Sequence, residues 1–387
     1  MSLPRSRTTR RTGGAVAAVL ALGLLAACGD DSITSGDDPD TGGRANAPSG
    51  AVATGTPEDV ATDELAVDEV ASGITSPWGV VELDDGDLLV AERDTAEILR
   101  VDRGTGEQTT VTTVPGVVTG SESGLLGLAM PPGQDRLLAY YTGEQDARVV
   151  SMDWDGDRLG EPEPVLTGIP TGAGYHQGGR LLVGPDELLY VGTGDNGDPA
   201  SAQDPDSLSG KVLRVTLDGQ PAPGNPGGTA VYSSGHRNVQ GLALDDEGRL
   251  WEAEFGDAAW DEINLVEAGG NYGWPEVEGS GGEDVADEDY LDPAAVWRTG
   301  DASPSGLTVW DGSLWLASLR GAILWEVPLP AAAGEPVGQP VSHVAGEYGR
   351  LRTVLPAADG GLLLTTSNTD GRGDPAGDDD KVLALTR

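Results

Sequence analysis

Six times along this 387-residue chain a turn signal built from Gly, Asp or Pro leads into a short apolar run, and that repeat restricts the fold more than any other feature. The copies are Asp85-Gly86-Asp87-Leu88-Leu89-Val90, Gln134-Asp135-Arg136-Leu137-Leu138-Ala139, Pro185-Asp186-Glu187-Leu188-Leu189-Tyr190, Glu247-Gly248-Arg249-Leu250-Trp251, Asp311-Gly312-Ser313-Leu314-Trp315-Leu316 and Asp359-Gly360-Gly361-Leu362-Leu363-Leu364. Their leading leucines stand 49, 51, 62, 64 and 48 residues apart. One turn and one strand per unit, at a period of about fifty residues, is the pattern of a propeller blade of about four strands. A second strand precedes each turn, as in Leu125-Leu126-Gly127-Leu128-Ala129 or Gly241-Leu242-Ala243-Leu244, so each unit starts with a hairpin. The expected fold is all-β, a six-bladed propeller of four-stranded blades over residues 65–387. Ala66-Val67-Asp68-Glu69-Val70 should pair with Val382-Leu383-Ala384-Leu385 to close the ring.

A hairpin returns the chain to the end it came from, so residues before its first strand and after its second share one rim. Loops held by a rigid scaffold are where binding and catalysis concentrate. Sorting by blade position alone brings Trp78, Glu122, His176, Gln177, Arg237, Asn238, Gln240, Arg350 and Arg352 together with Arg93, Asp195, Asn196, Gly256, Asp257, Arg320 and Asn368. Arg93, Arg237, Arg320, Arg350 and Arg352 in so acidic a chain point to a bound polyanion or a balanced ion-pair network. Of the three histidines, at 176, 236 and 343, His176 is the general-base candidate, because imidazole titrates near neutral pH; the bland alternative is a polar loop histidine. Asp195, one hairpin away, is placed to orient it.

The N-terminus sets the expected compartment. Arg5, Arg7, Arg10 and Arg11 precede an apolar stretch over 13–27, followed by Leu25-Ala26-Ala27-Cys28. This resembles a bacterial lipobox, with residues 1–27 as signal peptide and Cys28 acylated. Residues 28–64, rich in Gly, Asp, Ser, Thr and Pro, read as a flexible tether. The expected location is extracytoplasmic, with the membrane contacted only through the lipid. Cys28 is the sole cysteine, which excludes an intramolecular disulfide. The formal charge of −41 excludes nucleic acid as a partner, since no basic surface faces phosphates. Gly192-Thr193-Gly194-Asp195-Asn196-Gly197 fits a dinucleotide fingerprint, but Asp195 repels a pyrophosphate and no helix pattern follows.

Several segments carry a family resemblance: Tyr175-His176-Gln177-Gly178-Gly179-Arg180-Leu181, Gly235-His236-Arg237-Asn238-Val239-Gln240-Gly241-Leu242, Glu254-Phe255-Gly256-Asp257 with Asp261-Glu262-Ile263-Asn264, Gly270-Asn271-Tyr272-Gly273-Trp274-Pro275 and Arg350-Leu351-Arg352. In this order they resemble the soluble glucose dehydrogenases dependent on pyrroloquinoline quinone (PQQ) and the related aldose sugar dehydrogenases. The resemblance implies oxidation of a sugar or related alcohol, with PQQ and Ca2+ as cofactors and an electron acceptor that leaves no signature in the chain. It implies that His176 takes the hydroxyl proton while hydride moves to the quinone, and that Asp195 holds the imidazole. Arg237 and Asn238 would polarise the quinone oxygens, Arg350 and Arg352 would pair with cofactor carboxylates, and the carbonyls of Gly256 and Asp257 would ligate calcium. Glu122 and Arg320 stand at cofactor positions where the family has glutamine and lysine, and Tyr175 replaces a polar residue. Gly256-Asp257 replaces a usual Gly-Pro.

Two other readings fit a six-bladed propeller. A calcium-dependent lactonase or other hydrolase needs no quinone and leaves the arginines unexplained. A non-catalytic cell-surface binding propeller is motivated by Glu122. The tryptophans at 251, 315 and 325 read as blade packing, with Trp78 and Trp260 as candidates for the mouth.

Overall fold

The computed structural model describes residues 44–45, 53–56, 65–281, 290–332 and 334–387. The signal segment, Cys28 and most of the tether lie outside the described residues.

Each turn signal sits at the tip of an antiparallel hairpin, and two further strands complete each blade. The first blade holds Pro77–Glu82, Leu88–Glu92, Glu97–Val101 and Gln108–Thr113, from the axis outward. The second holds Leu125–Ala129, Arg136–Thr142, Ala147–Asp153 and Glu163–Ile169. The third comprises Leu181–Val183, Leu188–Gly192, Lys211–Thr216 and Val231–Ser234. The fourth comprises Val239–Leu244, Leu250–Glu254, Trp260–Val266 and Ala295–Arg298, and the fifth Pro304–Trp310, Ser313–Ser318, Leu324–Pro328 and Val341–His343. In the sixth, Leu351–Pro356, Leu362–Thr366 and Lys381–Thr386 are joined by the N-terminal strand Ala66–Ser72. Leu385 stands opposite Val67 and Lys381 opposite Ser72, so the ring closes as expected. Two 3-10 turns, Pro199–Ala202 and Pro226–Gly228, are the only helical elements among the described residues.

The turn-strand runs are continuously apolar because each blade is covered on both faces. Leu89 and Ala91 pack towards the second blade with Leu125, Leu128 and Leu137. Leu88 and Val90 pack the other way, with Leu363 and Val382 of the sixth. The same alternation places Leu362 and Leu364 against Trp315 and Leu324 of the fifth blade. Period-two side chains therefore feed two cores in turn, one on each side of the blade. Trp251, Trp315 and Trp325 are buried in these layers, as expected. Trp260 is not at the mouth: it begins the third strand of the fourth blade, is 7% exposed, and lies under the Arg298 guanidinium.

Two details shape the rim. The pairing of first and second strands is irregular in five blades, over residues 77–80, 125–128, 239–241, 304–307 and 351–354. Such bulges bend a strand and re-aim its side chains, and here they lie at the end that carries Trp78, Gln240 and Arg352. The second concerns the tether. Ala53–Thr54 pairs in parallel with Ala295–Val296 as a fifth strand of the fourth blade, with Ala53 buried. At these described positions the stretch read as flexible is docked on the propeller's edge.

If closure is integral, Leu385→Ala should cost about 2–5 kcal/mol, the usual toll for emptying a core leucine site. Urea denaturation that shows a loss below 1 kcal/mol would mean that the sixth blade holds without its shared pairing.

Candidate active site

His176 stands in the loop entering the third blade, with φ at +55°, a left-handed conformation that a β-carbon disfavours. Its amide donates to Glu122 Oε2 at 2.8 Å, and the neighbouring Gly194 lies so close that a β-carbon there would collide with the His176 carbonyl. Strain of this kind persists where surroundings enforce it, and it clusters at functional sites. Nδ1 lies 2.7 Å from Asp195 Oδ1. An ionised carboxylate only accepts, so Nδ1 carries a proton, and in the neutral imidazole Nε2 keeps its lone pair. Nε2 has no partner among the described residues.

Asp195 is 1% exposed and accepts also from the Gly197 amide at 2.8 Å and the Trp274 indole at 2.9 Å. Burial works against its charge, but the bonds from His176, Gly197 and Trp274 outweigh it and hold the carboxyl below the usual range.

Beside this pair, on the propeller axis, lies a cavity of about 450 Å³. Trp78, Arg93, Glu122, Gln177, Gln240, Arg350 and Arg352 line it, as blade position led us to expect, together with Asp94, Asp370 and Arg372. Asp370 Oδ2 accepts from Arg350 Nε at 3.0 Å and from Arg352 at 3.3 Å, and its carbonyl accepts from Arg93 at 3.1 Å. Burial opposes its charge, yet Arg352 and Arg350 hold it below the ordinary carboxylate range. Arg180 is buried beneath, stacked 4.2 Å from the Trp78 ring centre, with Gln240 O and Thr353 Oγ1 as neutral partners. Burial, then the charge of Arg352, push Arg180 down to about 9, so it remains a cation at neutral pH. Four lining arginines (93, 350, 352 and 372) thus face three carboxylates (94, 122 and 370), and with Arg180 behind Trp78 the cavity is left positive.

The fourth blade supplies the third part. Glu254 Oε2 accepts the backbone amides of Arg237 and Asn238, and its Oε1 lies 2.9 Å from His236 Nδ1. Arg237 pairs with Asp257 at 2.9 Å, while its buried Nε has no partner among the described residues. Asn238 Oδ1 takes the Gly178 amide, and its buried Nδ2 is likewise unmatched. The amides of Asp257, Ala258, Ala259 and Trp260 all converge on Glu278 Oε1 at 2.8–3.0 Å. The carbonyls of Gly256 and Asp257 have no donor among the described residues. Beneath them His236, Glu252 and Glu254 offer three ligand atoms within 4.8 Å, with Glu262 alongside. Burial disfavours the His236 charge, but Glu254 and Glu252 raise it to about 9. Burial and then Glu254 push Glu252 up to about 7.

Of the predicted residues, His176 and Asp195 form one hydrogen-bonded pair, Glu122, Arg350 and Arg352 line the cavity, and Arg237, Asn238, Gly256 and Asp257 form the adjoining wall. Arg320 is set apart. It is exposed and makes no ion pair among the described residues, although Leu319 beside it lines the cavity. Asp370, Arg372, Arg180 and Trp274 took no role in the sequence reading. Asp370 had a usable signal, since acids also follow the second strands at Asp94, Asp195 and Asp257.

The Glucose / Sorbosone dehydrogenase family model matches residues 74–374. The chain is 31% identical over 355 residues to an uncharacterized protein of Synechocystis, covering 80% of this chain and 85% of that one. It is 34% identical over 250 residues to quinoprotein glucose dehydrogenase B of Acinetobacter calcoaceticus, covering 54% and 52%. Among solved structures, the PQQ-bound form of aldose sugar dehydrogenase from Streptomyces coelicolor has a TM-score of 0.79 and 50% identity, covering 83% of this chain and 98% of that one.

Because Asp370 is depressed in the folded chain, its stabilising contribution is complete above the unfolded value of about 3.9 and is lost as pH falls through the lowered folded value. Asp370→Asn should therefore cost about 3 kcal/mol at pH 7, with the gap to the parent chain closing below about pH 4. Denaturation curves from pH 7 to pH 3 that run parallel for the two proteins would refute this account of the arginine cluster.

Proposed function

This chain belongs to the glucose/sorbosone dehydrogenase family, and on that premise we propose that it oxidises an aldose sugar or related alcohol with PQQ and calcium at the cavity on the propeller axis. The observation that carries the reading is the His176–Asp195 pair, with a free Nε2, standing beside a cavity with an excess of buried arginine. A ligand with several carboxylates balances that excess, and guanidinium is the group suited to hold them. The unmatched Nδ2 of Asn238 and Nε of Arg237 fit quinone oxygens, and the free carbonyls of Gly256 and Asp257 fit a hard cation. When bound, PQQ supplies the electrophilic carbon that takes the hydride, and calcium supplies Lewis acidity to it.

The chain's own part is to move one proton and hold charge. His176 accepts the substrate hydroxyl proton at Nε2 as the C–H bond yields its electron pair. Asp195 stabilises the imidazolium that results, being ionised and already hydrogen-bonded to Nδ1. Arg237 and Asn238 stabilise negative charge growing on the acceptor's oxygens. Tyr175, 39% exposed and edge-on to His176 at 4.6 Å between ring centres, offers an apolar surface for a sugar ring at the mouth.

Calorimetric titration of PQQ into the purified protein, with and without calcium, should show tight, calcium-dependent binding. His176→Gln should bind PQQ equally well and lose at least about a hundredfold in sugar oxidation, the range for a general base. Absence of binding at saturating calcium would turn the assignment towards the hydrolase or binding readings, and turnover retained by the variant would overturn His176 as the base.

We also propose that the enzyme is extracytoplasmic and anchored by lipid on Cys28, on the strength of Leu25-Ala26-Ala27-Cys28 after a basic and apolar leader. Cys28→Ala should release the protein from the membrane fraction and abolish its labelling by fatty acid. A variant that stays membrane-bound and labelled would sink that assignment.

A further inference from the structure

Trp274 touches both halves of the site. Its indole Nε1–H donates to Asp195 Oδ2 at 2.9 Å, and the Arg237 guanidinium lies over its ring, 5.3 Å from the centre. The side chain is buried, at 7% exposure. Asp195 divides its partners: Oδ1 takes His176 Nδ1 and the Gly197 amide, whereas Oδ2 has the indole as its only partner among the described residues. Without that donor a buried carboxylate oxygen is left unmatched, which is costly and leaves the carboxylate free to turn.

We propose that Trp274 is a positioning residue that locks the Asp195 carboxylate behind His176 and couples this pair to Arg237. What the positioned groups accomplish rests on the dehydrogenase reading; the hydrogen-bond coupling itself does not. The indole is not needed to hold its own loop. The Trp274 amide donates to Gly235 O at 2.9 Å, its carbonyl accepts from Gln203 Nε2 at 2.7 Å, and Gln203 and Asn271 bond each other through both ends of their amides. The side chain is therefore free to serve the carboxylate. One flat group carries a donor at its edge for the base pair and a π-face for the cation, and this joins the third blade's chemistry to the fourth's.

The charged and titratable groups around the pair are Glu122, which takes the His176 amide, Tyr175, edge-on to the imidazole, and Arg237 beyond the indole. None of them replaces the indole at Oδ2. Removing the indole N–H concentrates the Asp195 charge, which favours imidazolium and raises the pH at which His176 loses its proton.

The test is Trp274→Phe, which keeps a ring beneath Arg237 and removes the donor. NMR titration of His176 in the cofactor-free protein, assigned with His176→Gln, should show about a three- to tenfold gain in proton affinity. In PQQ-loaded protein, sugar turnover should fall about tenfold and the acid limb of its pH profile should move to higher pH by the same amount. Trp274→His, whose ring N–H can donate, should recover part of the turnover, and it serves as the second variant should Phe disturb folding. An unchanged His176 titration in Trp274→Phe, or no recovery in Trp274→His, overturns the proposal. A shifted titration in Trp274→Phe, beside a parent chain that never oxidises sugar, would instead uphold the coupling and refute the dehydrogenase reading.

Discussion

The whole site hangs on how closely the six innermost strands approach one another. Gly79, Gly127, Gly241 and Gly306 occupy equivalent places on four of them, and a β-carbon at any one would run into backbone of the next blade: residues 126–128, Gly179, Ser305 and residues 352–354 respectively. Backbone on backbone is the tightest approach two strands can make. It draws the bulged upper ends of these strands to the axis, where Trp78, Gln240 and Arg352 meet across blades. Gln240 Oε1 then accepts from both Ser305 and Arg352, and Thr353 Oγ1 donates to the Trp78 carbonyl. A wider ring would leave each of these groups reaching across water. The apolar layers between blades supply most of the burial, but the glycines decide what the layers surround.

That ring concentrates cation in a chain that is otherwise strongly acidic, with a formal charge of −41. Buried arginine is costly unless paired or hydrogen-bonded. The cavity settles the cost only in part: Asp370 serves Arg350 and Arg352, Asp94 serves Arg93, and Arg180 has neutral partners alone. A site built purely for stability gains nothing from the surplus, whereas a site that takes an anionic ligand is preorganised by it. The acidic composition of the chain adds contrast, since the cavity's arginines stand in a protein with a large excess of carboxylates.

How much of this was legible followed from the range of the interactions. Six hairpins, their closure and their shared rim follow from local signals, a turn residue and a run of leucines, which is why Leu137 or Leu362 could be placed without a structure. Glu122, His176, Asp195 and Arg352 fell together because rim membership is a property of blade position. Partnership is not. Trp274 acts on Asp195 of another blade, Arg180 owes its burial to Trp78 in a different unit, and the Asp370 carbonyl takes Arg93 of the first blade; no spacing along one blade encodes such contacts. Trp260 shows the converse error: the sequence offered it as a candidate for the mouth, yet a strand starts at that residue and buries it.

Glu122 shows why a departure from a family's pattern must be judged in three dimensions. Read along the chain, a carboxylate among cofactor-facing residues is a reason to expect repulsion of an anion. In the folded chain one of its oxygens is committed to the His176 amide at 2.8 Å and the other to Arg372 at 3.1 Å. The charge is thus answered by an arginine 250 residues away, on the sixth blade's loop, and the pair together is neutral. A neutral amide could donate into the cavity but would hold the strained His176 backbone with a weaker, uncharged acceptor. Glutamate paired with Arg372 therefore stiffens the loop that carries His176 Nε2 and leaves the cavity's excess of arginine intact. The residue that looked most hostile to an anion is one of those that keep the His176 backbone in place.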